Sequence, residues 1–479
     1  MVIKDEGAEE PEADPWGFLS AGKPAGEAKP KDVQQSPLRQ RGEIREVVAG
    51  PSLKKRAWPM AAALAGIFFA GFITEVVAAS QMIALAGTQS LLIIYPLGGL
   101  GLLALGLLQF RLVDGAARLK VLRYATLGYA IVFAIALVFL AGGLAPILAV
   151  GVIWLLADQI NYLLPLLIWS LAGDEFNVAE GRKIFGWLVT WTYVGQMSGL
   201  AVALVTPLLL EGLNFDLSWL LIIAPIVCVV LAVWLPVALR NSSAAKGTAH
   251  RDSLTESIKG AAEFINGVPV WRSLMAASTL TFVAGTTVIM GYSVGVGDIL
   301  GRDAANLQIV FAGSWIVALG ICWGIQHFFA EQIAERVGVP GTLIILPIAT
   351  ACAAIALALG SAIGSVAVLI IAIIIWRIPR WSLDENARRG ALALVPDERR
   401  TRVSFLIDLT PVAVGLILAA PIVGIGFLTG LLWIPGILAF VLALVAVFFS
   451  RKVMKGWEES LMNWRLRRRK QNRTTDLDL

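Results

Sequence analysis

The chain is built from a succession of apolar runs, each about as long as a bilayer is thick, separated by short polar breaks. A helix needs about 20 mostly apolar residues to cross the hydrocarbon core. In lipid, only helices and closed barrels satisfy their own backbone hydrogen bonds. Runs of spanning length lie at roughly 59–83, 87–110, 121–141, 146–170, 184–210, 217–239, 273–296, 306–329, 340–360, 362–378, 403–427 and 430–450. They predict twelve transmembrane helices in an all-α polytopic membrane protein. With 57% hydrophobic and 15% charged residues, the composition excludes a water-soluble globule.

The loops sort by charge. Those after odd-numbered spans, such as "ALAGTQS" and "AGGLA", lack Lys and Arg, and Arg302 is the one basic residue on that face. The other face carries Arg111, Arg118, Lys120, Arg123, Arg182, Lys183, Arg240, Arg336, Arg380, Arg388, Arg389, Arg399, Arg400, Arg402 and the "RLRRRK" tail. The positive-inside rule therefore predicts a multi-pass protein with both termini cytoplasmic, in an inner membrane of the bacterial type. Topology, not nucleic acid, explains the net charge of +5. Residues 1–57 are polar with no apolar signal core, so a disordered cytoplasmic tail and a self-inserting first span are expected. The lone cysteines Cys228, Cys322 and Cys352 read as small core residues, and His250 and His327 do not make a metal site. No metal, cofactor or nucleic acid is expected.

An interior polar linker splits the chain into two sixes, with residues 58–240 and 272–450 as six-helix bundles, 241–271 as a cytoplasmic linker and 451–479 as a basic cytoplasmic tail. The halves echo each other. "WSL" at Trp169–Leu171 precedes "AGDEFNVAEGRK", and "WSL" at Trp381–Leu383 precedes "DENARRGALALVPDERRTR". The loop "RLVDGAARLK" after span 2 has its counterpart in "AEQIAERVGV" after span 8. Such a parallel repeat of six resembles the major facilitator superfamily, whose 6+6 pseudo-repeat implies two bundles rocking about a central site. Asp114, Arg118 and Lys120, with Glu331, Glu335, Arg336 and Gly338 in the second half, resemble that superfamily's loop motif. Glu180, Gly181, Arg182, Lys183, Phe185, Gly186, Gly195 and Gly199 are similar to the ATP/ADP translocase-like branch, as is "ENARRGALALVPDERRTRVSFLID". The resemblance implies a solute transporter.

Within span 4, "LADQINYLLP" puts polar groups where lipid is expected. Asp158 lies about twelve residues in, roughly 18 Å deep at about 1.5 Å per residue. Asn161, Tyr162 and Pro165 follow at helical spacing on the same face. A charge at mid-bilayer costs at least about 2.5 kcal/mol, so this edge is expected to line a cavity. The competing reading is interhelical hydrogen bonding alone. Glu75 in span 1 is the second deep acid, while Asp408 is shallower and expected to pair with a cytoplasmic arginine. Span 5 adds Trp191, Thr192 and Gln196, and Tyr193 beside them, as substrate-facing candidates or packing residues. Gly195 and Gly199 allow close helix approach. Pro96, Gly98, Gly99 and Gly101 soften span 2. In the second half Tyr292, Gln326 and His327 are the polar candidates. Asp114 with Arg118, and Glu180 with Arg182 and Lys183, are candidate gating pairs across the bundles, with Arg399 and Arg402 in the equivalent loop of the second half. The alternative is topology alone, since exposed pairs contribute only about 0–1 kcal/mol.

The deep ionisable groups are acidic and the basic ones cluster at the rim, with Arg377 nearest a span interior. That pattern predicts a secondary transporter of a small organic solute, cationic or neutral, coupled to protons through Glu75 or Asp158 or working by exchange. Two alternatives stay open. An ATP/ADP-type nucleotide exchanger needs Arg377, Arg182 or Lys183 in the cavity. A non-transporting membrane scaffold would dock a protein partner on the N-terminal tail or on "GWEESLMNWRLRRRK", where Trp457, Leu461 and Trp464 share a helical stripe. An enzyme is not expected, since no nucleophile with a base and no phosphate-cradling loop is present.

Overall fold

The computed structural model describes residues 53–113, 118–176, 178–209, 216–240, 254–392, 395 and 397–475. Most of the expected N-terminal tail, and the linker stretch with His250, lie outside the described residues.

Among the described residues twelve helical stretches are long and apolar enough to cross a membrane, the sixth running over Leu217–Ala238 and the tenth over Val366–Leu392. They correspond to α1 (Leu53–Ala86), α2 (Leu91–Val113), α3 (Arg118–Ala141), α4 (Pro146–Glu175), α5 (Val178–Leu209), α6 (Ile223–Ala238), α7 (Pro269–Leu300), α8 (Ala304–Phe328), α9 (Ala330–Ile363), α10 (Val366–Pro379), α11 (Asp397–Thr429) and α12 (Ile434–Thr475). Local chemistry sets several boundaries. Pro146 and Pro269 open α4 and α7, where a missing N–H costs nothing. Asp303 caps α8 by accepting from the amides of Ala305 and Asn306, at 2.9 and 3.2 Å. Gly364 ends α9 in the left-handed conformation. Gly338, at φ +68°, kinks α9, whose candidate span, Glu335–Ile363, begins earlier than the expected residue 340. Inside the spans, hydroxyls such as those of Thr281, Thr287 and Thr350 bond to a carbonyl one turn back, which satisfies them without water.

The two halves pack alike. α1 lies on α5 as α7 lies on α11, and α3 on α6 as α9 on α12. The halves meet along α2–α11 and α5–α8, which are the same contact under exchange of the halves. Close approach comes from missing Cβ atoms. At Gly195 and Gly199 of α5 a Cβ would overlap the carbonyls of Ala65 and Phe69 on α1, so the Gly-x-x-x-Gly pair works as the sequence suggests. At Gly99 of α2 a Cβ would sit 2.7 Å from the carbonyl oxygen of Ala413 on α11.

Three elements run further than hydropathy indicates. α10 continues through a π turn, Arg380–Asp384, into a short helix, Glu385–Leu392. Pro379 precedes that turn; its absent N–H and bulky ring disfavour a regular α turn there. The polar linker contains an amphipathic helix, Leu254–Gly267, whose Ala261 and Ile265 are buried against Val270 and Trp271 of α7. α12 extends well beyond 450, and its Val453 and Trp457 are buried in the same cluster. Trp457 is therefore occupied by its own bundle and is not offered to a membrane surface or partner. The side chains of Leu461 and Trp464 lie outside the described ones. Of the cysteines, Cys228 and Cys322 are buried as expected, whereas Cys352 is exposed on the apolar perimeter, so it is no core residue.

Candidate functional site

Glu75 lies in α1 and turns towards α4. Its Oε2 accepts a hydrogen bond from Asn161 Nδ2 at 3.2 Å. Asn161 fits there because Gly71, one turn before Glu75, has no Cβ: its carboxamide occupies that space. Asp158, one turn before Asn161, directs its carboxylate at Gly98 of α2, 3.6 Å from where a Cβ would stand. Gln159 reaches Gly101 in the same way, at 2.8 Å. The small residues of α2 thus make room for the polar edge of α4.

Arg377, in α10 of the other half, faces this group. It is 6% exposed, and its guanidinium carbon lies 3.7 Å from the centroid of the Trp315 ring and 4.5 Å from that of Trp381. It interacts electrostatically with Glu75, and Tyr95, Tyr162 and Tyr292 stand around it. Tyr95 of α2 hydrogen-bonds Ser293 of α7 and packs edge-on against Trp154, at 6.0 Å. Tyr162 remains 40% exposed although Glu75, Asp158, Arg377 and Arg380 surround it. Asp158, Gln159 and Asn161 are half-buried. The polar edge of α4 is therefore partly accessible.

One turn further along α10, Arg380 and Arg388 share Asp384, at 3.6 and 3.0 Å, and Arg388 reaches Asp408 at 3.5 Å. Both guanidinium groups lie beside the Phe282 ring, at 4.9 and 5.2 Å. Asp408 does pair with an arginine of the basic face.

Several candidates lie elsewhere. Trp191 packs on Trp58 and Trp187, with centroids at 4.9 and 5.9 Å, and Thr192 spends its hydroxyl on the carbonyl of Val189, at 2.7 Å. Neither joins Asp158, because their positions on α5 turn towards the first turns of α1. Gln196, one turn on, is half-buried. Tyr292 is 1% exposed and bonded to Ser314 Oγ at 2.8 Å, so it braces α7 against α8 and does not line the space. Tyr193 donates to Gln326 across α5–α8. His327 stacks on Trp323.

Glu180 has a partner in its own half. Its carboxylate accepts from Arg56 Nη1 at 2.8 Å, and Arg56 also holds Glu175 Oε1 at 3.1 Å and stacks on Phe176 at 5.3 Å. This links α1 to the α4–α5 turn, since α1 begins at Leu53, early enough to bring Arg56 into the helix. Lys183 is exposed. Asp114 lies outside the described residues, as do the side chains of Arg118, Arg182, Arg399 and Arg402. On the side away from the termini a bridge between the halves does exist: Thr88 Oγ1 donates to Asp298 Oδ1 at 3.1 Å, and the Arg302 guanidinium covers Gly87.

No protein-family model and no curated protein sequence matches the chain. Solved structures do. A bacterial homologue of the iron transporter ferroportin in an inward-facing state superimposes with a TM-score of 0.61 at 15% identity, over 84% of this chain and 99% of that one. The nucleoside transporter NupG gives 0.57 at 15%, over 83% and 99%. A POT family transporter in complex with a thioalcohol-conjugated peptide gives 0.58 at 14%, over 82% and 96%.

The fold is of the major facilitator type. Glu75, Asp158, Asn161 and Tyr162 belong to α1 and α4 of one half, and Arg377 to α10 of the other. The paucity of buried basic residues expected from sequence does not hold: Arg377 and Arg388 are 6% and 3% exposed. Arg377 ends an apolar run and so reads as a rim residue. Its neighbours Trp376 and Trp381 were the available signal, since an arginine between tryptophans has rings to lie against.

Proposed function

We propose that the chain is a secondary transporter that moves a small organic solute by alternating access, with the solute site at the seam between its halves. One observation carries this: Glu75 of one half, with Asp158 beside it, lies within electrostatic reach of a buried guanidinium of the other half, Arg377, amid helices where lipid would expel all three. Rocking of the halves alters that juxtaposition. Binding or protonation there can therefore shift the balance between conformations, as coupling requires. Glu75 and Asp158 are the proton-carrying groups in this reading, and Asn161 and Tyr162 orient the solute. The transporters with this fold, one of them described as inward-facing, support it.

With the basic face cytoplasmic, the Thr88–Asp298 bridge closes the outer side and the conformation is inward-facing. The test is uptake into proteoliposomes under an imposed pH gradient, across a panel of amino acids, peptides, nucleosides and sugars. Uptake of at least one class, lost in Asp158→Asn, is the expected result; folded protein that moves nothing in the panel sinks the reading.

Arg377 also favours a second reading, ATP/ADP-type exchange. It predicts uptake of ATP into ADP-loaded vesicles and none into empty ones.

A further inference from the structure

The chemistry of the seam narrows the solute, taking the seam as the solute site. Arg377 differs from its neighbours Arg380 and Arg388 in its carboxylates. Arg380 and Arg388 are matched by Asp384 and Asp408. Among the described residues no carboxylate lies within ion-pair distance of Arg377, and its buried Nε has no hydrogen-bond acceptor. Glu75, whose charge it feels, accepts from Asn161. A buried cation whose nearest acid, Glu75, is not in ion-pair contact is costly, by several kcal/mol on the usual scales, so the guanidinium can take a further anion. With indole rings of Trp315 and Trp381 against the guanidinium, what remains for a ligand is its edge, the geometry that suits a planar carboxylate. Opposite stand two acids from α1 and α4, and Asp158 accepts no hydrogen bond from any described side chain. They form a cation-binding pole. Phe72, at 6.1 and 6.3 Å from Trp315 and Trp381, adds an apolar wall between the poles.

We propose that the solute is a small zwitterion, its carboxylate bound edge-on to Arg377 and its ammonium group held by Glu75 and Asp158. A nucleotide fits poorly, because one free guanidinium cannot offset several phosphate charges beside two carboxylates.

The experiment uses the full-length protein in detergent, with intrinsic tryptophan fluorescence and thermal stabilisation as readouts. Probes are α- and ω-amino acids of graded length, their matched monocarboxylates and monoamines, and ATP. At least one zwitterion is expected to bind about tenfold or more tightly than either single-charge counterpart, the scale of one charge-assisted hydrogen bond. Arg377→Lys should weaken that binding about tenfold, and Glu75→Gln should weaken the zwitterion while leaving the matched monocarboxylate nearly unchanged. Glu75→Gln keeps the test open if the arginine variant does not fold. The proposal is overturned if no zwitterion binds, if a monocarboxylate or ATP binds as well as any zwitterion, or if both variants bind normally. Arg377-dependent zwitterion binding without uptake would sink the transport reading alone. Uptake of an uncharged solute indifferent to Arg377 would sink this inference alone.

Discussion

Asp158 and Arg56 illustrate two different uses of charge in an apolar chain. Asp158 is half-buried with its carboxylate against Gly98, so replacing it with Asn keeps shape and removes only ionisation. Asp158→Asn is expected to leave the unfolding temperature close to wild type while abolishing proton-driven uptake and its dependence on pH; retained pH dependence would refute the proton role. Arg56 is instead a staple. It donates to Glu175 and Glu180 and to the backbone carbonyl of Glu175, at 3.1 Å. Arg56→Ala should cost about 1–3 kcal/mol of stability, within the usual range for a lost hydrogen-bonded ion network, with solute affinity unchanged; thermal unfolding and binding measured on the same sample check this. Asp158 was legible in the sequence because an acid amid leucines stands out. Arg56 was not, because it sits at the end of a basic cluster that topology already explains.

Helix packing explains why glycine matters more than hydrophobicity here. On α5, Gly195 and Gly199 let the backbone of α1 come within contact of that of α5. Gly199→Leu should force the helices apart and lower stability by about 1–3 kcal/mol, the scale of an overpacked core, as read from unfolding in detergent. On α2, Gly99 touches α11 across the seam between the halves. Gly99→Val is expected to reduce uptake more than stability, because it alters contact between halves and not within one. The sequence places these glycines in spans. It does not say which partner each meets, nor that Gly98 and Gly101 of α2 make space for Asp158 and Gln159.

At the scale of the whole molecule the two halves are joined along matched helix pairs and pinned on one side by the α1–α2 turn against α7. In a background with Cys228, Cys322 and Cys352 replaced, Thr88→Cys with Asp298→Cys, bridged by a short cleavable thiol reagent, should stop uptake, and cleaving the bridge should restore it. Undiminished uptake in the bridged protein would mean that this side does not open.

The number of spans, the basic face, the repeat of six and the polar edge of α4 all follow from the sequence. Each depends on local rules: hydrocarbon has a fixed thickness, a backbone in lipid must satisfy itself within its helix, and loop charge sorts by side. What only the tertiary structure decided is which residues meet. Arg377 and Glu75 lie about 300 positions apart, and Trp191 turned to Trp58 instead of to the acids. A helix surrounded by apolar side chains on nearly every face carries little record of its own rotation, so packing against its neighbours sets where each polar group points.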